Sequence, residues 1–337
     1  MIKEAIIKLT QKDDLDIVTA EMVMDEIMSG KASNLQIGAY LIALSMKGET
    51  IEEITASAKI MRQHALKLLN DMEVLEIVGT GGDHSNSFNI STTSSLVVAA
   101  CGVPVAKHGN RAATSKCGAA DVLEALGVNI DLDPTKAKKV LDQIGICFLF
   151  AQKYHSAMRF VAPVRKELSI RTIFNILGPL SNPAGASYQL MGVYDEALVE
   201  PLAQVLFNLG VRRGLVVYGL EGLDEISLVG KTKICEIRDG WIKNYEIDPR
   251  DYGFTLCKKE DLVGGTPEEN AKIIKEIFSG QKGPKRDTVV LNSAAALYIG
   301  KENITFEEAI EEVKDAIDSG NALDKLTQMV IVTNEVK

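Results

Sequence analysis

The spacing of the apolar residues changes near position 74, and this change separates two kinds of structure. In the first 70 positions, apolar residues recur every three or four places, as they do along amphipathic helices. Beyond position 74, short runs rich in β-branched residues alternate with helical segments, which is typical of an α/β fold with parallel strands. We therefore predict a small all-helical domain over residues 1–70. A larger α/β domain, with a central and mostly parallel sheet, is expected over residues 74–150 and 187–337.

Turn and capping signals place the individual elements. Strands are expected at Val74–Val78, Val103–Ala106, Val128–Leu132, Ile144–Phe150, Tyr188–Tyr194 and Gly214–Tyr218. A hairpin is expected over Lys233–Ile247, with its turn at Asp239-Gly240. Capping boxes predict helices that begin after Ser33, Thr50, Thr266 and Thr305. Helical spacing returns over residues 154–185, which we expect to rejoin the helical domain.

The composition narrows the classes of function. The 337 residues carry a formal net charge of −9, with a pI near 5.2, which argues against a nucleic-acid-binding surface as the main function. There is no apolar stretch of about 18 residues and no signal-peptide core near the start, so we expect a cytoplasmic protein without a membrane span. The cysteines include no C-x-x-C pair and the histidines no H-E-x-x-H motif, which argues against a disulfide framework or a zinc site.

A glycine-rich turn follows the first expected strand, within the run VGTGGDHSNSFNIST from Val78 to Thr92. Gly79, Gly81 and Gly82 would let backbone N–H groups approach an anion closely, and the N-terminus of the following helix would add unpaired donors. The run has more hydroxyl and amide side chains than one helix cap requires, so we favour a bound phosphate ester or diphosphate over a plain tight connection. It contains neither a Walker GxxxxGK[ST] loop nor the G-x-G-x-x-G spacing of dinucleotide-binding folds.

The segment KHGNRAATSKCGAAD, from Lys107 to Asp121, comes directly after the expected strand Val103–Ala106. Ligands of open α/β sheets bind at the carboxyl ends of the strands, where this segment begins. Its three cations, Lys107, Arg111 and Lys116, and its small residues are compatible with a clamp over a polyphosphate. A solvated basic loop would have the same composition, and both interpretations stay open.

Other side chains of this segment bear on the same question. Thr114 and Ser115 would supply hydroxyl groups to a clamp. Considered alone, His108 is more consistent with a buried structural imidazole than with a substrate contact. Cys117 is notable because it lies within a polar loop.

Two adjacent acids, Asp224 and Glu225, follow the expected strand Gly214–Tyr218. Neighbouring side chains point in different directions on a helix or strand. The two acids can therefore bind the same ligand only if they lie in an irregular loop; otherwise they would serve two ligands on different sides. Gly219 and Gly222 favour a loop here. Carboxylates beside a diphosphate suit Mg²⁺, which keeps several of its waters. The alternative is a pair of ordinary surface charges.

Arg165 lies in the helical segment MRFVAPVRKELSIRTIFN. An arginine in such a segment is ordinarily a helix-surface residue. If the segment faces the glycine turn across a cleft, the guanidinium would suit a substrate carboxylate.

Taken together, these residues make the chain similar to the anthranilate phosphoribosyltransferases. The matching runs are GTGGD (79–83), FNIST (88–92), KHGNR (107–111), SKCGAADVLEALG (115–127), RTIFNILGPLSNP (171–183) and LDEIS (223–227). Their order and spacing match along essentially the whole chain. GTGG alone would also fit the pyrimidine nucleoside phosphorylases, which share the fold, and a non-catalytic nucleic-acid-binding relative is a third alternative. The acidic pair and the NILGPLSNP run speak against the phosphorylase, and the low pI against the nucleic-acid-binding relative.

The resemblance implies a helical domain and an α/β domain joined by hinges, assembled as a homodimer through the helical domains. It implies transfer of the 5-phosphoribosyl group from phosphoribosyl pyrophosphate (PRPP) to the amine of anthranilate, giving N-(5-phosphoribosyl)anthranilate and pyrophosphate in tryptophan biosynthesis. Mg²⁺ would be required, with two ions per active site. Neither nucleic acid nor a membrane is expected as a partner.

The resemblance also implies roles for individual residues. PRPP would be bound by Gly79, Gly82, Asp83, Ser87, Asn89, Ser91, Thr92, Lys107, Ser115 and Ala119. Anthranilate would be bound by Gly79, His108, Asn110 and Arg165. Magnesium would be bound by Ser91, Asp224 and Glu225. Lys107 would be catalytic by stabilising the departing pyrophosphate directly, and Asp224 and Glu225 would be catalytic through the magnesium that they bind.

Some positions depart from the usual family pattern, without removing a charged or metal-binding role. His84 stands where glycine is common, and Ser169 also replaces a usual glycine. Ser87 replaces a frequent threonine, Ala119 a common serine and Cys117 a small residue.

Overall fold

Helices form the first part of the chain. The structure, a computed structural model, describes residues 1–112 and 115–336, so Thr114 lies outside the described residues. The first helices are α1 (Ile2–Thr10), α2 (Ile17–Met28), α3 (Asn34–Lys47) and α4 (Ile51–His64). The capping boxes predicted for α3 and α4 are confirmed, because Ser33 accepts a hydrogen bond from the Gln36 N–H and Thr50 accepts one from the Glu53 N–H.

The rest of the chain alternates strands with helices. Its first elements are β1 (Leu75–Gly79), α5 (Ile90–Ala100), β2 (Val105–Gly109), α6 (Ala119–Ala125), α7 (Pro134–Ile144) and β3 (Ile146–Phe150). Short helices follow at α8 (Ala151–Tyr154), α9 (Ala162–Leu168) and α10 (Phe174–Leu177). The chain then forms β4 (Tyr188–Gly192), α11 (Val199–Asn208), β5 (Arg213–Gly219), β6 (Thr232–Arg238) and β7 (Trp241–Ile247). The last helices are α12 (Pro267–Phe278), α13 (Pro284–Gly300), α14 (Phe306–Asp318) and α15 (Asn321–Glu335).

The strands form one sheet in the order β3-β2-β1-β4-β5-β6-β7. Neighbours from β3 through β5 are parallel, and β6 and β7 add an antiparallel hairpin at one edge. The mostly parallel sheet and the hairpin turn at Asp239-Gly240 are therefore confirmed. The strand order reverses direction between β1 and β4, and a crevice at the carboxyl ends of such strands is where α/β sheets bind ligands.

The segment between β3 and β4 packs against the first helices. Val161, Val164 and Leu177 belong to the same buried apolar cluster as Leu41 and Met61. Through this cluster the segment contacts both the helical bundle and one face of the sheet.

The strand predicted over Val128–Leu132 is wrong, because these residues pair with no strand of the sheet within the described chain. Their apolar side chains are buried alternately, which produces the pattern of a strand. The Asn129 N–H instead donates to Thr333 Oγ1 of α15 at 3.1 Å. A side chain of helix α15 therefore accepts the backbone hydrogen bond that Asn129 would donate to a neighbouring strand if it lay in a sheet.

Helix α13 had no signal in the sequence, because it is buried on nearly all sides. After a charged first turn with Lys285, Arg286 and Asp287, the helix carries mostly apolar and small side chains on every side and has no amphipathic stripe. Within residues 1–112 and 115–336, no helix combines the length and the apolar character that crossing a membrane requires.

Candidate active site at the carboxyl ends of the central strands

The acidic loop after β5 crosses over the carboxyl ends of β1 and β4. These strands end in the paired glycines Gly79 and Gly192. A Cβ atom on Gly192 would lie 1.5 Å from the Asp224 main-chain oxygen, and one on Gly79 would lie 2.4 Å from the Asp224 carboxylate. The two glycines therefore open the space in which the acidic loop meets the glycine turn.

The glycine turn wraps around the Asp224 carboxylate. Gly81 and Gly82 have φ angles of 65° and 76°, which glycine adopts without strain. The Gly81 N–H donates to Asp224 Oδ2 at 2.7 Å, and the Asp224 N–H donates to Asp83 Oδ2 at 3.4 Å. The turn and the acidic loop therefore hold each other, and two carboxylates lie side by side.

The turn continues through two residues other than glycine in the left-handed region. His84 and Asn86 have φ angles of 59° and 52°. Neighbouring side chains support this conformation, since the Ser85 N–H donates to Asp83 Oδ1 and the Ser87 N–H donates to Ser85 Oγ, both at 3.2 Å. Part of the hydroxyl content of the run therefore holds the loop itself.

The N-terminus of α5 faces the same turn. Asn89 precedes the helix, but its side chain does not cap it. Ser91 and Thr92 lie in the first helical turn, and Thr92 Oγ1 is buried without a hydrogen-bond partner among the described residues. A buried hydroxyl without a partner costs about 1–3 kcal/mol, so a ligand atom at this place would be stabilising.

Lys107 lies within β2 and does not project from a solvated loop. It is 3% exposed, and its ammonium donates to Ile77 O at 2.7 Å and to Ser91 Oγ at 3.4 Å. Burial lowers the pKa of Lys107, while the charges of Glu76 and Glu225 act in the opposite direction. Its positive charge therefore lies directly behind the start of α5.

Asp224 and Glu225 are both buried in an irregular loop, as one of the two sequence interpretations required. Burial, followed by the charge of Asp83, raises the pKa of Asp224 to about 7. Burial and the charge of Asp224 raise the pKa of Glu225 well above its ordinary value, and Lys107 opposes this effect. Crowded carboxylates in such surroundings favour a bound cation.

The acids alone do not form a complete metal-binding site in the described chain. No group of three or more His, Cys, Asp or Glu side chains in the described chain is arranged so as to hold a metal ion. A hydrated divalent cation needs only one or two carboxylates and completes its shell with water and phosphate oxygens. The donor set therefore fits such a cation when a diphosphate is also present.

Two neutral histidines lie at the end of β2 and after α8. The ring centroids of His108 and His155 are 5.0 Å apart. Burial lowers the pKa of His108 well below its ordinary value and that of His155 to about 4. His108 Nε2 is buried without a partner among the described residues. His108 is thus buried, as expected from the sequence, and retains one ring nitrogen for a ligand.

The loop after β2 is fixed by its own contacts. Asn110 Oδ1 accepts hydrogen bonds from the Arg111 N–H at 2.8 Å and from Gln152 Nε2 at 3.3 Å. Arg111 pairs with Asp121 at 3.0 Å and with Glu124 at 2.5 Å. The charge of Arg111 is paired with acids of the protein in this structure, and its role in a polyphosphate clamp stays a prediction.

Ser115 and Ala119 lie where the described chain resumes. Ser115 is exposed, and its hydroxyl donates to Cys117 O at 3.4 Å. Ala119 is the first residue of α6 and follows Gly118. Cys117 connects this segment to the run from Val78 to Thr92, because its thiol donates to Asn89 Oδ1 at 3.3 Å.

The arginine that contacts the glycine turn is Arg171 rather than Arg165. Arg171 Nη2 donates to Gly82 O at 2.7 Å, and its guanidinium carbon lies 4.2 Å from the centroid of the Tyr194 ring. Arg165 lies in α9 with its guanidinium carbon 5.8 Å from the centroid of the Phe174 ring, and burial lowers its pKa. The segment between β3 and β4 therefore reaches the turn, as the carboxylate-binding interpretation of Arg165 requires.

The sequence matches two parts of one family of proteins. Residues 71–323 match the family described as "Glycosyl transferase family, a/b domain", and residues 3–65 match "Glycosyl transferase family, helical bundle domain". The chain is 64% identical over 334 residues to the anthranilate phosphoribosyltransferase of Methanobrevibacter smithii, which covers 99% of this chain and 100% of that relative. It is 62% identical over 334 residues to the anthranilate phosphoribosyltransferase of Lachnoclostridium phytofermentans, with 99% of each chain covered. The chain belongs to the anthranilate phosphoribosyltransferase family.

Solved structures of anthranilate phosphoribosyltransferases have the same architecture. The crystal structure of the Thermus thermophilus protein matches with a TM-score of 0.93 and 41% identity, covering 98% of this chain and 99% of that one. The Saccharomyces cerevisiae protein in complex with PRPP and Mg matches with a TM-score of 0.91 and 28% identity, covering 99% and 98%. Its complex with 4-fluoroanthranilate matches with a TM-score of 0.90 and 27% identity, covering 99% and 98%. The expected helical domain and α/β domain are therefore confirmed.

Sequence reasoning missed several residues that build this site. They are Gln152, His155, Arg171, Gly192 and Asn270. Most reach the site only through contacts between distant parts of the chain. Gly192 alone had a local signal, because a glycine within an expected strand often marks a place where another backbone approaches closely.

Proposed function

We propose that this protein transfers the 5-phosphoribosyl group of PRPP to the amine of anthranilate, giving N-(5-phosphoribosyl)anthranilate and pyrophosphate in tryptophan biosynthesis. The observation that carries the proposal is the meeting of the glycine turn, the start of α5 and the buried acids Asp224 and Glu225 at the point where the strand order reverses. Backbone donors beside carboxylates suit a diphosphate bound together with its metal ion.

PRPP would occupy the glycine turn and the start of α5. We assign it to Gly79, Gly82, Asp83, Ser87, Asn89, Ser91, Thr92, Lys107, Ser115 and Ala119. The unpaired Thr92 hydroxyl and the left-handed backbone at Gly82 support this assignment. Lys107 would act through its charge behind the helix start.

Magnesium would be held by Ser91, Asp224 and Glu225, with two ions per active site. The raised pKa of both buried acids supports a cation here, because an ion beside them would stabilise their ionised forms. When bound, the ions would neutralise charge on the departing pyrophosphate.

Anthranilate would be bound by Gly79, His108, Asn110 and Arg165. A neutral His108 with a free Nε2 suits an uncharged aromatic amine. The Arg165 guanidinium is the cation that would face the anthranilate carboxylate.

The chemistry requires the ribose C1–O bond to pyrophosphate to break while the amine attacks C1. Negative charge develops on the leaving group, so Lys107 and the backbone donors of the turn would stabilise the transition state. The aromatic amine is already neutral and needs no deprotonation before attack, and we assign no general base. The proton that the amine loses after attack would pass to water or pyrophosphate.

The domains would move relative to each other during this reaction. We assign residues 1–70 and 154–185 to the helical domain, and residues 74–150 and 187–337 to the PRPP-binding domain, with hinges between them. The packing of the segment around Val161 with the first helices supports its assignment to the helical domain. Closure would bring Arg165 towards PRPP and exclude water from the ribosyl centre.

Several apolar side chains of the helical domain are exposed, which supports a homodimer through this domain. Leu35 is 83% exposed, Met46 79% and Val18 63%, and all three lie in α2 or α3. Such exposed apolar side chains mark protein interfaces when they are contiguous. We propose a cytoplasmic homodimer that binds neither nucleic acid nor a membrane, and light scattering should give twice the mass of one chain.

Anthranilate fluorescence tests the proposed reaction. The fluorescence should decay when the protein is mixed with anthranilate, PRPP and Mg²⁺, and should stay constant when the protein, PRPP or Mg²⁺ is omitted. Decay without PRPP or without the protein would contradict the proposal.

Two further assays test the alternatives. Phosphorolysis of thymidine would identify a nucleoside phosphorylase, and we expect none. A gel shift that weakens steeply with salt would identify a nucleic-acid-binding relative, and at a net charge of −9 we expect none.

A further inference from the structure

The segment between β7 and α12 packs behind the run from Val78 to Thr92, although no sequence motif indicated this contact. The Phe88 N–H donates to Leu262 O at 3.0 Å, and the Gly264 N–H donates to Asn86 O at 2.9 Å. A Cβ atom on Gly264 would lie 2.7 Å from Phe88 Cα, so only glycine permits this approach. The segment therefore lies directly against the residues that lead into α5.

Asn270 extends from α12 into this contact. It is 1% exposed, and its Oδ1 accepts a hydrogen bond from the Gly265 N–H at 2.7 Å. Its Nδ2 donates to Asn89 Oδ1 at 2.8 Å. The Gly265 contact orients the Asn270 amide, because only the oxygen can accept that N–H. The amide nitrogen of Asn270 is thereby directed at Asn89.

Cys117 completes the environment of the Asn89 amide. Its thiol donates to the same Asn89 Oδ1 at 3.3 Å, and its carbonyl accepts from Asn89 Nδ2 at 3.2 Å. Burial raises the pKa of Cys117 to about 11, so the thiol keeps the proton that it donates. Two donors on the oxygen and one acceptor on the nitrogen fix the Asn89 amide in one orientation.

We propose that Asn270 is a positioning residue for phosphoribosyl binding, which acts with Cys117 by holding the Asn89 amide with its oxygen inward and one N–H free for PRPP. An amide nitrogen has two N–H groups, and the Cys117 carbonyl uses only one of them. A flipped amide would turn its oxygen towards a phosphate or hydroxyl oxygen, and the hydrogen bond to PRPP would be lost. This inference rests on the proposed function, because it assigns the free N–H to PRPP.

Substitutions at Asn270 and Cys117 separate this role from a merely structural one. Asn270→Leu keeps the branched shape of the side chain with a larger volume and removes the donor, and we expect the Kd for PRPP with Mg²⁺ to rise about tenfold, as for the loss of one hydrogen bond to a charged ligand. Cys117→Ala should act in the same direction, while Cys117→Ser keeps a donor and should stay within about twofold of the unchanged protein. The KM for anthranilate at saturating PRPP should change by less than about twofold in every variant.

The double variant and a matched control sharpen the test. Asn270 and Cys117 donate to the same oxygen, so the effects of Asn270→Leu and Cys117→Ala should not add. Ile274→Val is the control, because Ile274 is buried in the same helix and has no role in orienting Asn89. It should lower the melting temperature without changing the Kd for PRPP.

The experiment is calorimetric titration of each folded variant with PRPP and Mg²⁺, together with the fluorescence assay. An unchanged Kd in Asn270→Leu, equal changes in the constants for both substrates, or simple additivity in the double variant would overturn the positioning role. If Asn270→Leu does not fold, the two Cys117 variants decide the question. A Kd for PRPP that is equally changed in Cys117→Ala and Cys117→Ser, or unchanged in both, would overturn the positioning role. An unchanged protein that binds PRPP but does not consume anthranilate would instead refute the proposed function.

Discussion

The acidic side of the site is formed by Asp83, Asp224 and Glu225, and the histidine side by His108 and His155. The two sides differ in the polar and charged groups that surround their buried side chains. Burial raises the pKa of Asp224 and Glu225 and lowers the pKa of His108 and His155, so it favours the neutral form of these four groups. The acids, however, also face the Gly81 N–H and the Lys107 ammonium, which stabilise negative charge. The acidic side is therefore suited to a cation with its phosphates, and the histidine side to a neutral aromatic amine.

Removal of the two acids should have the largest effect on activity, because it abolishes the negative charge that distinguishes the acidic side from the histidine side. We predict that the double variant Asp224→Ala/Glu225→Ala loses about 10³-fold in kcat/KM, because the charge that holds the metal is gone. Melting curves should show an intact fold, since removing crowded buried carboxylates removes repulsion. The adjacent exposed acids Asp13 and Asp14 give a matched control, whose double alanine variant should keep its activity. Near-normal rates for the first variant at saturating Mg²⁺ would refute the metal assignment.

Displacing the acidic loop without changing its charge should have the next largest effect. Gly192→Ala would place Cβ 1.5 Å from the Asp224 main-chain oxygen, so the loop must move. We expect kcat/KM to fall about 100-fold, with the Kd for PRPP changing more than that for anthranilate. Gly38→Ala is the control, because the nearest atom to its Cβ would be Val164 Cγ1 at 3.6 Å. Equal activity in the two variants would show that the position of the loop is unimportant.

The arginines between β3 and β4 test whether the two sides bind different substrates. Arg165→Ala should raise the KM for anthranilate about tenfold or more and change that for PRPP little, because a charge-assisted contact to the carboxylate is lost. Arg171→Ala should do the reverse, since Arg171 donates to Gly82 of the turn. Steady-state kinetics with each substrate varied in turn gives the comparison, and identical patterns would argue against separate roles.

The smallest expected effect is a pH dependence of stability on the histidine side. The folded-state pKa of His155 is lowered to about 4, so between pH 6.5 and 4 the unfolded chain binds a proton that the folded protein does not. This destabilises the folded protein as the pH falls, by about 3 kcal/mol at most. The stability difference between the protein and its His155→Asn variant should therefore shrink over this range in denaturant titrations. A constant difference would mean that His155 titrates normally.

Local signals predicted much of the fold. The capping boxes at Ser33 and Thr50 and the turn at Asp239-Gly240 depend on residues a few positions apart, and all three are confirmed. The strand predicted over Val128–Leu132 failed because its alternation reports burial and not hydrogen-bonded pairing. Tertiary packing decides between these possibilities.

The residues of the site likewise include some with local sequence signals and others that only tertiary packing reveals. The glycine turn and the irregular acidic loop had local signatures, and the structure brings them together. The roles of Arg111 and Arg171 could not be separated from the sequence, because one is neutralised by acids of α6 and the other contacts a turn 89 positions away. Only the folded structure shows which groups each guanidinium contacts.

Calorimetric titration of the protein with PRPP, with Mg²⁺ present and after chelation, tests most directly whether the acidic side binds the diphosphate as its metal complex. We predict clear binding with Mg²⁺ and binding at least about 100-fold weaker without it, since two buried carboxylates then face the phosphates unshielded. Equal affinity under the two conditions would contradict this view of the site.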